Sequence, residues 1–439
     1  MWLFHALPYV ARAAAGVYYR LTRAGATVPA DGPVLLVANH PNSLFDAALV
    51  AAVAGRPLRF LAKAPLFTDA QVGWLVRGAG AIPVYRAVDD PGAMGRNRDM
   101  FAAVWAALAE GAAVALFPEG TSHSEPRLAP LKTGAARIAL GAAARHGVAC
   151  AIVPVGLSFR QKERFRSEAL VLVGEPLDWS DLHAEAPENA AAVQALTARL
   201  ADALQQVTLN LERWEDAPLV ETAEAVWAAE FGAERGAVPR LGRQRGTADA
   251  LAGLRAAADP RLPALAHDLG RHARLLRALG LSPAELHQRP GWLAAARWAL
   301  KRLALFALTL PPALLGTLLL WPPYRLTGVL EARARPAHDI RSTYKLLVGT
   351  ALFLGWWLLL GLATGWAAGG WAAAAVLILL PPLGLLTLGV RERAQQARTD
   401  ARRWLLLRRR PARIEELRRR QRELAVRLRD LWTGATVGR

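Results

Sequence analysis

The sequence predicts an α/β layered domain with helices around a central sheet, followed by a helical region and a C-terminal membrane hairpin. Three observations carry that prediction. Between Pro33 and Leu177, short apolar runs of β character alternate with helical stretches. Between Leu303 and Val390, long runs contain no charged residue. After Val390 the composition turns basic, with 16 Arg and 6 acidic residues between Arg391 and Arg439.

Taken in order, residues 1–25 hold Trp2, Phe4, Leu7, Val10, Tyr18 and Leu21 among Arg12, Arg20 and Arg23, with no acidic residue. The apolar run is too short to span a bilayer, Pro8 interrupts it, and the charged start of a secretory signal is missing. An interfacial helix is expected, with packing on the following domain as the alternative. Residues 26–180 form the predicted α/β domain. Its expected strands are 34–38, 58–62, 82–85, 113–117, 151–157 and 170–173; its expected helices are 44–54, 70–77, 97–110 and 134–145. Residues 181–300, rich in Ala, Leu, Arg and Glu and broken by Pro239, Pro260, Pro263, Pro283 and Pro290, read as several helices.

Residues 301–390 make the membrane region. The runs 346–366 and 371–390 are each about long enough to cross roughly 30 Å of hydrocarbon, and Gly369-Gly370 allows a tight hairpin. The run 303–323 is split by Pro311-Pro312 and ended by Pro322-Pro323, so a re-entrant or interfacial segment is expected there. Lys301, Arg302, Arg325, Arg333, Arg391 and Arg393 flank these runs, which puts the charged loops and the catalytic domain on the cytoplasmic face, of a bacterial inner membrane in this reading. In the tail, 391–439, Ile414, Leu417, Leu424, Leu428 and Leu431 recur at helical spacing opposite an arginine-rich face.

Of the 439 residues, 53% are apolar, and the formal net charge is +18. That charge suits nucleic acid or anionic lipid; because the basic tail begins where the last apolar run stops, anionic membrane lipids are the expected partner and nucleic acid is not. The single cysteine, Cys150, excludes an intramolecular disulfide and reads as a buried thiol beside a strand.

The chemistry collects at strand ends. Asn39-His40-Pro41-Asn42-Ser43-Leu44-Phe45-Asp46 follows the apolar run 33–38, placing a histidine and a carboxylate on a strand-to-helix turn. On one continuous helix the two would lie about 240° apart, so pairing needs the turn that Pro41-Asn42 supplies. Asp46 could then hold the Nδ1 proton of His40 and leave Nε2 as general base. No Gly-x-Ser-x-Gly frame surrounds Ser43, which argues against a covalent serine mechanism. Arg86, after the Gly80 turn, suits a bidentate phosphate contact. In Phe117-Pro118-Glu119-Gly120-Thr121-Ser122, Gly120 permits close backbone approach, Thr121 can donate to phosphate, and Glu119 can hold a substrate hydroxyl or position Arg86. Lys132 could add charge to the same site, and Pro154 could wall an acyl chain, with Asn39 beside it. His123 and Glu119 have no second ligand at a workable spacing, so no metal is assigned.

These blocks, with Gly80 to Arg86 second and Ile152-Val153-Pro154-Val155-Gly156 fourth, resemble those of the glycerophospholipid acyltransferase superfamily over roughly residues 15–180. The resemblance implies His40 as base, Asp46 as its partner, and Arg86 with Glu119-Gly120 as binders of a phosphorylated acceptor. It also implies a thioester of coenzyme A or acyl carrier protein as co-substrate, with no cofactor. Five residues separate His40 from Asp46 where most members have four. The longer spacing, Phe165-Arg166-Ser167-Glu168 and Asp339-Ile340-Arg341-Ser342-Thr343-Tyr344-Lys345 resemble the fungal glycerol 3-phosphate and dihydroxyacetone phosphate branch. Glycerol 3-phosphate is the expected acceptor, with lysophosphatidate as the alternative and a non-catalytic lipid-binding scaffold as the rival of another class.

Overall fold

The computed structural model describes residues 2–437 except 71, 87, 89, 235, 289, 290 and 337–340, and describes no side chains for residues 2, 3, 94 and 432–437. The chain divides into two compact units, Met1–Asn210 with Ala337–Thr343, and Leu211–Pro336 with Tyr344–Arg439.

The first unit contains, in order, α1 (Trp2–Tyr18), β1 (Arg20–Gly25), β2 (Val34–Ala38), α2 (Leu44–Ala54), β3 (Leu58–Lys63), α3 (Pro65–Thr68), α4 (Gly73–Gly78), β4 (Ile82–Val84), α5 (Asn97–Ala109), β5 (Ala113–Leu116), α6 (Gly134–His146), β6 (Ala151–Phe159), β7 (Glu168–Val173) and α7 (Ala190–Val207). The strands form one sheet in the order β1-β7-β6-β2-β5-β3-β4. From β6 to β4 all neighbours are parallel; β7 turns back antiparallel to β6, and β1 runs parallel to β7. The carboxyl ends of β2, β4, β5 and β6 therefore share one edge, the usual place for a site in such sheets. The amino ends of β1 and β7 reach that edge too.

Parallel strands covered on both faces read as unbroken apolar runs. All five residues of β2 and all four of β5 are buried. Val34, Leu36 and Ala38 face a core shared with Ala11 and Ala15 of α1 and Leu49, Val50 and Val53 of α2. Leu35 and Val37 are as deeply buried on the opposite face. Each such leucine stabilises the fold by about 1.5–3 kcal/mol relative to exposure. On the far side α6 packs against α5 and α7, and α7 lies against β6. Cys150 is buried as expected, and burial pushes its thiol up to about 12.

Three boundaries differ from the sequence reading. The segment 1–25 is not one helix: α1 ends at Tyr18, buries Ala11 and Ala15, and leads into edge strand β1, which its polar composition hides. The expected helix 70–77 is the shorter α4, Gly73–Gly78, and a separate short helix, α3, precedes it at Pro65–Thr68. The α/β unit runs to residue 210 instead of 180, because α7 buries Val193, Leu196, Leu200 and Leu204 and its last residue lies against Gly156, where a Cβ would stand 1.8 Å from the Val207 carbonyl.

The second unit is helical: α8 (Ala217–Phe231), α9 (Ala237–Ala256), α10 (Leu262–Leu279), α11 (Trp292–Ala334), α12 (Arg341–Ala368, whose first turn lies in the first unit), α13 (Gly370–Arg409) and α14 (Pro411–Val437). Helices α11, α12 and α13 are long and apolar enough to cross a membrane. Gly369, at φ 85°, makes the turn between α12 and α13, with Trp366 and Trp371 over nine-tenths exposed beside it.

The expectation that prolines break 303–323 does not hold, since α11 runs without interruption for 43 residues through all four prolines. For Pro323 the reason lies on α12. Pro323 cannot donate to the Leu319 carbonyl one turn back, and the indole Nε1 of Trp356 donates to it at 2.8 Å. Pro381 in α13 likewise leaves the Leu377 carbonyl, which takes the indole Nε1 of Trp357 at 3.1 Å. The tail also differs from an open amphipathic helix. In α14, Ile414, Leu417, Leu424, Leu428 and Leu431 are buried against α8 and α10, so its apolar face is used inside the chain.

Candidate active site

His40 sits two residues beyond β2, and Asp46 lies in the first turn of α2. The chain reverses between them through Pro41 and Asn42, with Ser43 at φ 50°. The Nδ1 of His40 and Oδ2 of Asp46 stand 2.8 Å apart. Asp46 Oδ2 also accepts the Asn42 amide at 2.6 Å. Asp46 is fully buried and His40 is 18% exposed, so the carboxylate is sheltered while the ring reaches the surface. Burial pushes the Asp46 carboxyl above the usual carboxylate range, and the bonds from His40 and Asn42 and the charge of Lys162 pull against it. With Nδ1 held by Asp46, the proton-accepting atom is Nε2. Phe117, leaving β5, stacks on the imidazole with centroids 4.0 Å apart and planes 9° off parallel, fixing the ring plane.

Glu119 supports the same turn from below. One oxygen accepts the His40 amide at 2.7 Å; the other accepts the Ala129 amide at 2.8 Å and contacts His123 Nε2. The His40 carbonyl accepts from the His123 amide at 3.1 Å, and Ser122 Oγ accepts the Ser43 amide at 3.1 Å. The β2–α2 turn and the segment after β5 are thus one hydrogen-bonded layer. Among the described residues there is no group of three or more His, Cys, Asp or Glu able to hold a metal.

Arg86, Gly120, Thr121 and Lys132 form a more open lip. Arg86 Nη1 donates to the Gly120 carbonyl at 3.0 Å. The Lys132 amide donates to the Pro118 carbonyl at 2.7 Å, and its side chain lies over Gly120, where a Cβ would meet Lys132 Cγ at 3.4 Å. Two cations converge on a glycine at φ 76°, with the exposed Thr121 hydroxyl next to them. That set can take an anionic oxygen pair.

Residues 21–158 match the family model described as Acyltransferase. That match covers less than a third of the chain. Glycerol-3-phosphate O-acyltransferase 1 of Saccharomyces cerevisiae is 36% identical over 129 residues, 28% of this chain and 17% of that protein. Glycerol-3-phosphate O-acyltransferase 2 of the same yeast is 32% identical over 136 residues, 30% of this chain and 18% of that protein. The chloroplastic 1-acyl-sn-glycerol-3-phosphate acyltransferase LPAT1 of Arabidopsis thaliana is 33% identical over 128 residues, 29% of this chain and 32% of that protein. The chain therefore spans less than a fifth of the yeast relatives it matches.

Within the matched segment, His40 and Asp46 pair as expected, and Arg86, Gly120, Thr121 and Lys132 share one lip. Three expected site residues are placed otherwise. Glu119 is 3% exposed and both its oxygens are engaged by His40, Ala129 and His123, so it orients the histidine's backbone and does not position Arg86 or face a phosphate. Asn39 exchanges two hydrogen bonds with the backbone of Leu157, at 2.7 and 3.0 Å, and clamps β2 to β6. Pro154 is buried within β6, its carbonyl accepting from Gly174 at 2.8 Å and its ring against that glycine, so it lines no open wall for an acyl chain. Sequence reasoning missed Lys162, whose Nζ donates to the Pro41 carbonyl at 2.6 Å, and Tyr19, whose hydroxyl accepts from Asn42 Nδ2 at 2.9 Å.

Proposed function

We propose that this chain is a membrane-attached O-acyltransferase that moves a fatty acyl group from an acyl thioester to a hydroxyl of glycerol 3-phosphate. The observation that carries the reading is the 2.8 Å pair of His40 and buried Asp46 at the sheet edge, beside the Arg86–Lys132 lip, in an acyltransferase-family domain. The acceptor phosphate binds Arg86 and Lys132, which holds the acceptor hydroxyl within reach of His40 Nε2. Nε2 takes the hydroxyl proton as the oxygen attacks the thioester carbonyl, and Asp46 stabilises the imidazolium. The tetrahedral intermediate collapses, the carbon–sulfur bond breaks, and the imidazolium returns the proton to the departing thiolate. No acyl-enzyme forms and no cofactor or metal takes part. The donor is a thioester of coenzyme A or of acyl carrier protein.

Glycerol 3-phosphate is favoured as acceptor because both yeast relatives carry that substrate in their names, with dihydroxyacetone phosphate next. The similarity to a plant 1-acyl-sn-glycerol-3-phosphate acyltransferase supports the second reading, a lysophosphatidate acceptor. Three apolar helices and their arginine-rich flanks suit a membrane with anionic lipids, with the catalytic domain on the cytoplasmic face of a bacterial inner membrane.

The test is product analysis by mass spectrometry after incubating detergent-purified protein with palmitoyl-coenzyme A and each of the three acceptors. Monoacylated glycerol 3-phosphate as the main product supports the reading; a diacylated product from lysophosphatidate alone selects the second. No product with either a coenzyme A or an acyl carrier protein donor points to a lipid-binding scaffold.

A further inference from the structure

We propose that Lys162 is a positioning residue of this site, which together with Tyr19 fixes the five-residue spacer that carries His40 and Asp46 to pairing distance. Its consequence for rate rests on the acyl-transfer reading above; the placement of the residues does not.

The spacer sets a physical problem. Five residues between His40 and Asp46 leave main-chain polar groups of Pro41, Asn42 and Ser43 in a nearly dry turn, with Asn42 and Asp46 fully buried. Ser43, at φ 50°, occupies a conformation that residues with a side chain rarely adopt. Such a turn persists only if its surroundings fix it. The Lys162 ammonium does so at the one carbonyl that precedes Asn42, donating to Pro41 O at 2.6 Å and to Ser124 Oγ at 2.6 Å. Lysine is rarely buried without a partner, and Lys162 is 8% exposed. Tyr19 fixes the next residue, its hydroxyl accepting from Asn42 Nδ2 at 2.9 Å.

The main chain of Lys162 is itself held. Its carbonyl accepts from the hydroxyl of Ser342 at 2.6 Å and from that of Tyr19, and the two hydroxyl oxygens stand 3.5 Å apart. Ser342 belongs to the motif read at 339–345, of which Asp339 and Ile340 lie outside the described residues. The Phe165-Arg166-Ser167 stretch completes the frame. Arg166 donates its amide to the Tyr18 carbonyl at 2.6 Å and its guanidinium to the Gly16 carbonyl at 2.6 Å, closing the end of α1. Phe165 packs edge-on against Tyr18 at 5.5 Å. The loop that presents Lys162 therefore also delivers Tyr19, and two motifs that take no direct part in the chemistry acquire a shared role.

Lys162 has an electrostatic consequence as well. The titratable groups facing Asp46 are His40, Lys162 and Tyr19; burial holds the Tyr19 hydroxyl neutral by raising its pKa, while Lys162 and His40 both favour the ionised carboxylate against its desolvation. Removing the ammonium takes away one of the charges that favour the ionised Asp46 carboxylate.

The experiment compares wild type, Lys162→Met, Lys162→Arg and Tyr19→Phe as detergent-purified full chains. Two readouts are taken across pH: acceptor-dependent thiol release, and modification of His40 by diethylpyrocarbonate resolved at the peptide level. Lys162→Met is expected to lower kcat by about 10–100-fold with acceptor KM little changed, and to move the acid limb of both profiles to higher pH. Lys162→Arg restores most of the rate and the limb, and Tyr19→Phe lowers kcat without moving the limb. Wild-type kcat and unmoved profiles in Lys162→Met overturn the proposal. If Lys162→Met does not fold, Tyr19→Phe decides, and wild-type kcat there overturns it. A wild type without turnover in which Lys162→Met still shifts His40 modification sinks the acyl-transfer reading and leaves the positioning role standing.

Discussion

At the sheet edge, backbone groups of residues 40–43 are paired with ionisable or hydroxyl side chains, among them Asp46, Glu119, Lys162 and Ser122. In α11 and α13, carbonyls that prolines leave without a helical donor take the neutral indole N–H groups of Trp356 and Trp357. Both regions obey one rule, that a backbone group removed from water needs a partner. They differ in what the partner can do. A carboxylate or an ammonium gives the turn a field and a dependence on pH; an indole gives the helix a bond that no accessible pH alters. The same requirement is met by titratable groups in one unit and by neutral indoles in the other.

Substitutions can break that contrast, and the largest effect belongs to the charged partner. Asp46→Asn removes the charge that would stabilise a His40 imidazolium and brings an amide NH2 that can donate to Nδ1 and hold the wrong tautomer, and is expected to lower kcat by about 10²–10⁴-fold. Its effect on stability runs the other way. Because burial raises the Asp46 pKa above its unfolded value, the folded state holds that proton more tightly, and this carboxyl's contribution to stability falls as pH rises through the window above the ordinary carboxylate range. At neutral pH the asparagine removes the cost of a buried charge, so the thermal midpoint is expected to stay level or rise while activity collapses. A parallel fall of both would mean that Asp46 is mainly structural.

A smaller effect is expected at the lip. Arg86→Ala removes a charge-assisted contact worth about 1.5–3 kcal/mol, so the acceptor KM is expected to rise by about 10–100-fold. Lys should recover only part of it, having lost the planar fork. An unchanged acceptor KM would place the phosphate elsewhere.

The smallest effect sharpens the inert side. Trp356→Phe is expected to lower stability by about 1–3 kcal/mol through an unpaired Leu319 carbonyl, with the pH profile of activity unchanged. In a Pro323→Ala background the helix supplies its own donor, so the same change should cost much less. Equal losses in the two backgrounds would show that the indole matters for packing alone.

Much of this was legible in the chain. The central strands are continuous apolar runs because both faces of the sheet are covered, and His40 with Asp46 lies within a single turn, so local pattern located both. The polar edge strand β1 escaped because it lacks the apolar signal, and α7, expected as a helix, reads as part of the following region because it comes after a loop that looks like a boundary. What the sequence hid is pairing at long range. Tyr19 and Lys162 meet the Pro41–Asn42 turn from 23 and 121 positions away, and nothing local marks them. Pro323 of α11 reads as a break because its remedy, Trp356, stands 33 positions later on another helix. Glu119 and Asn39 carried the right residue types for ligand contact; only the fold shows that their polar atoms are already engaged.

The most direct test is acceptor-dependent thiol release from palmitoyl-coenzyme A by wild type beside His40→Ala, each with glycerol 3-phosphate and each checked for an unchanged thermal midpoint. Release by wild type is expected to depend on the acceptor and to fall by about 10²–10⁴-fold in the variant. Equal release by the two folded proteins would contradict the assignment of His40 as the base.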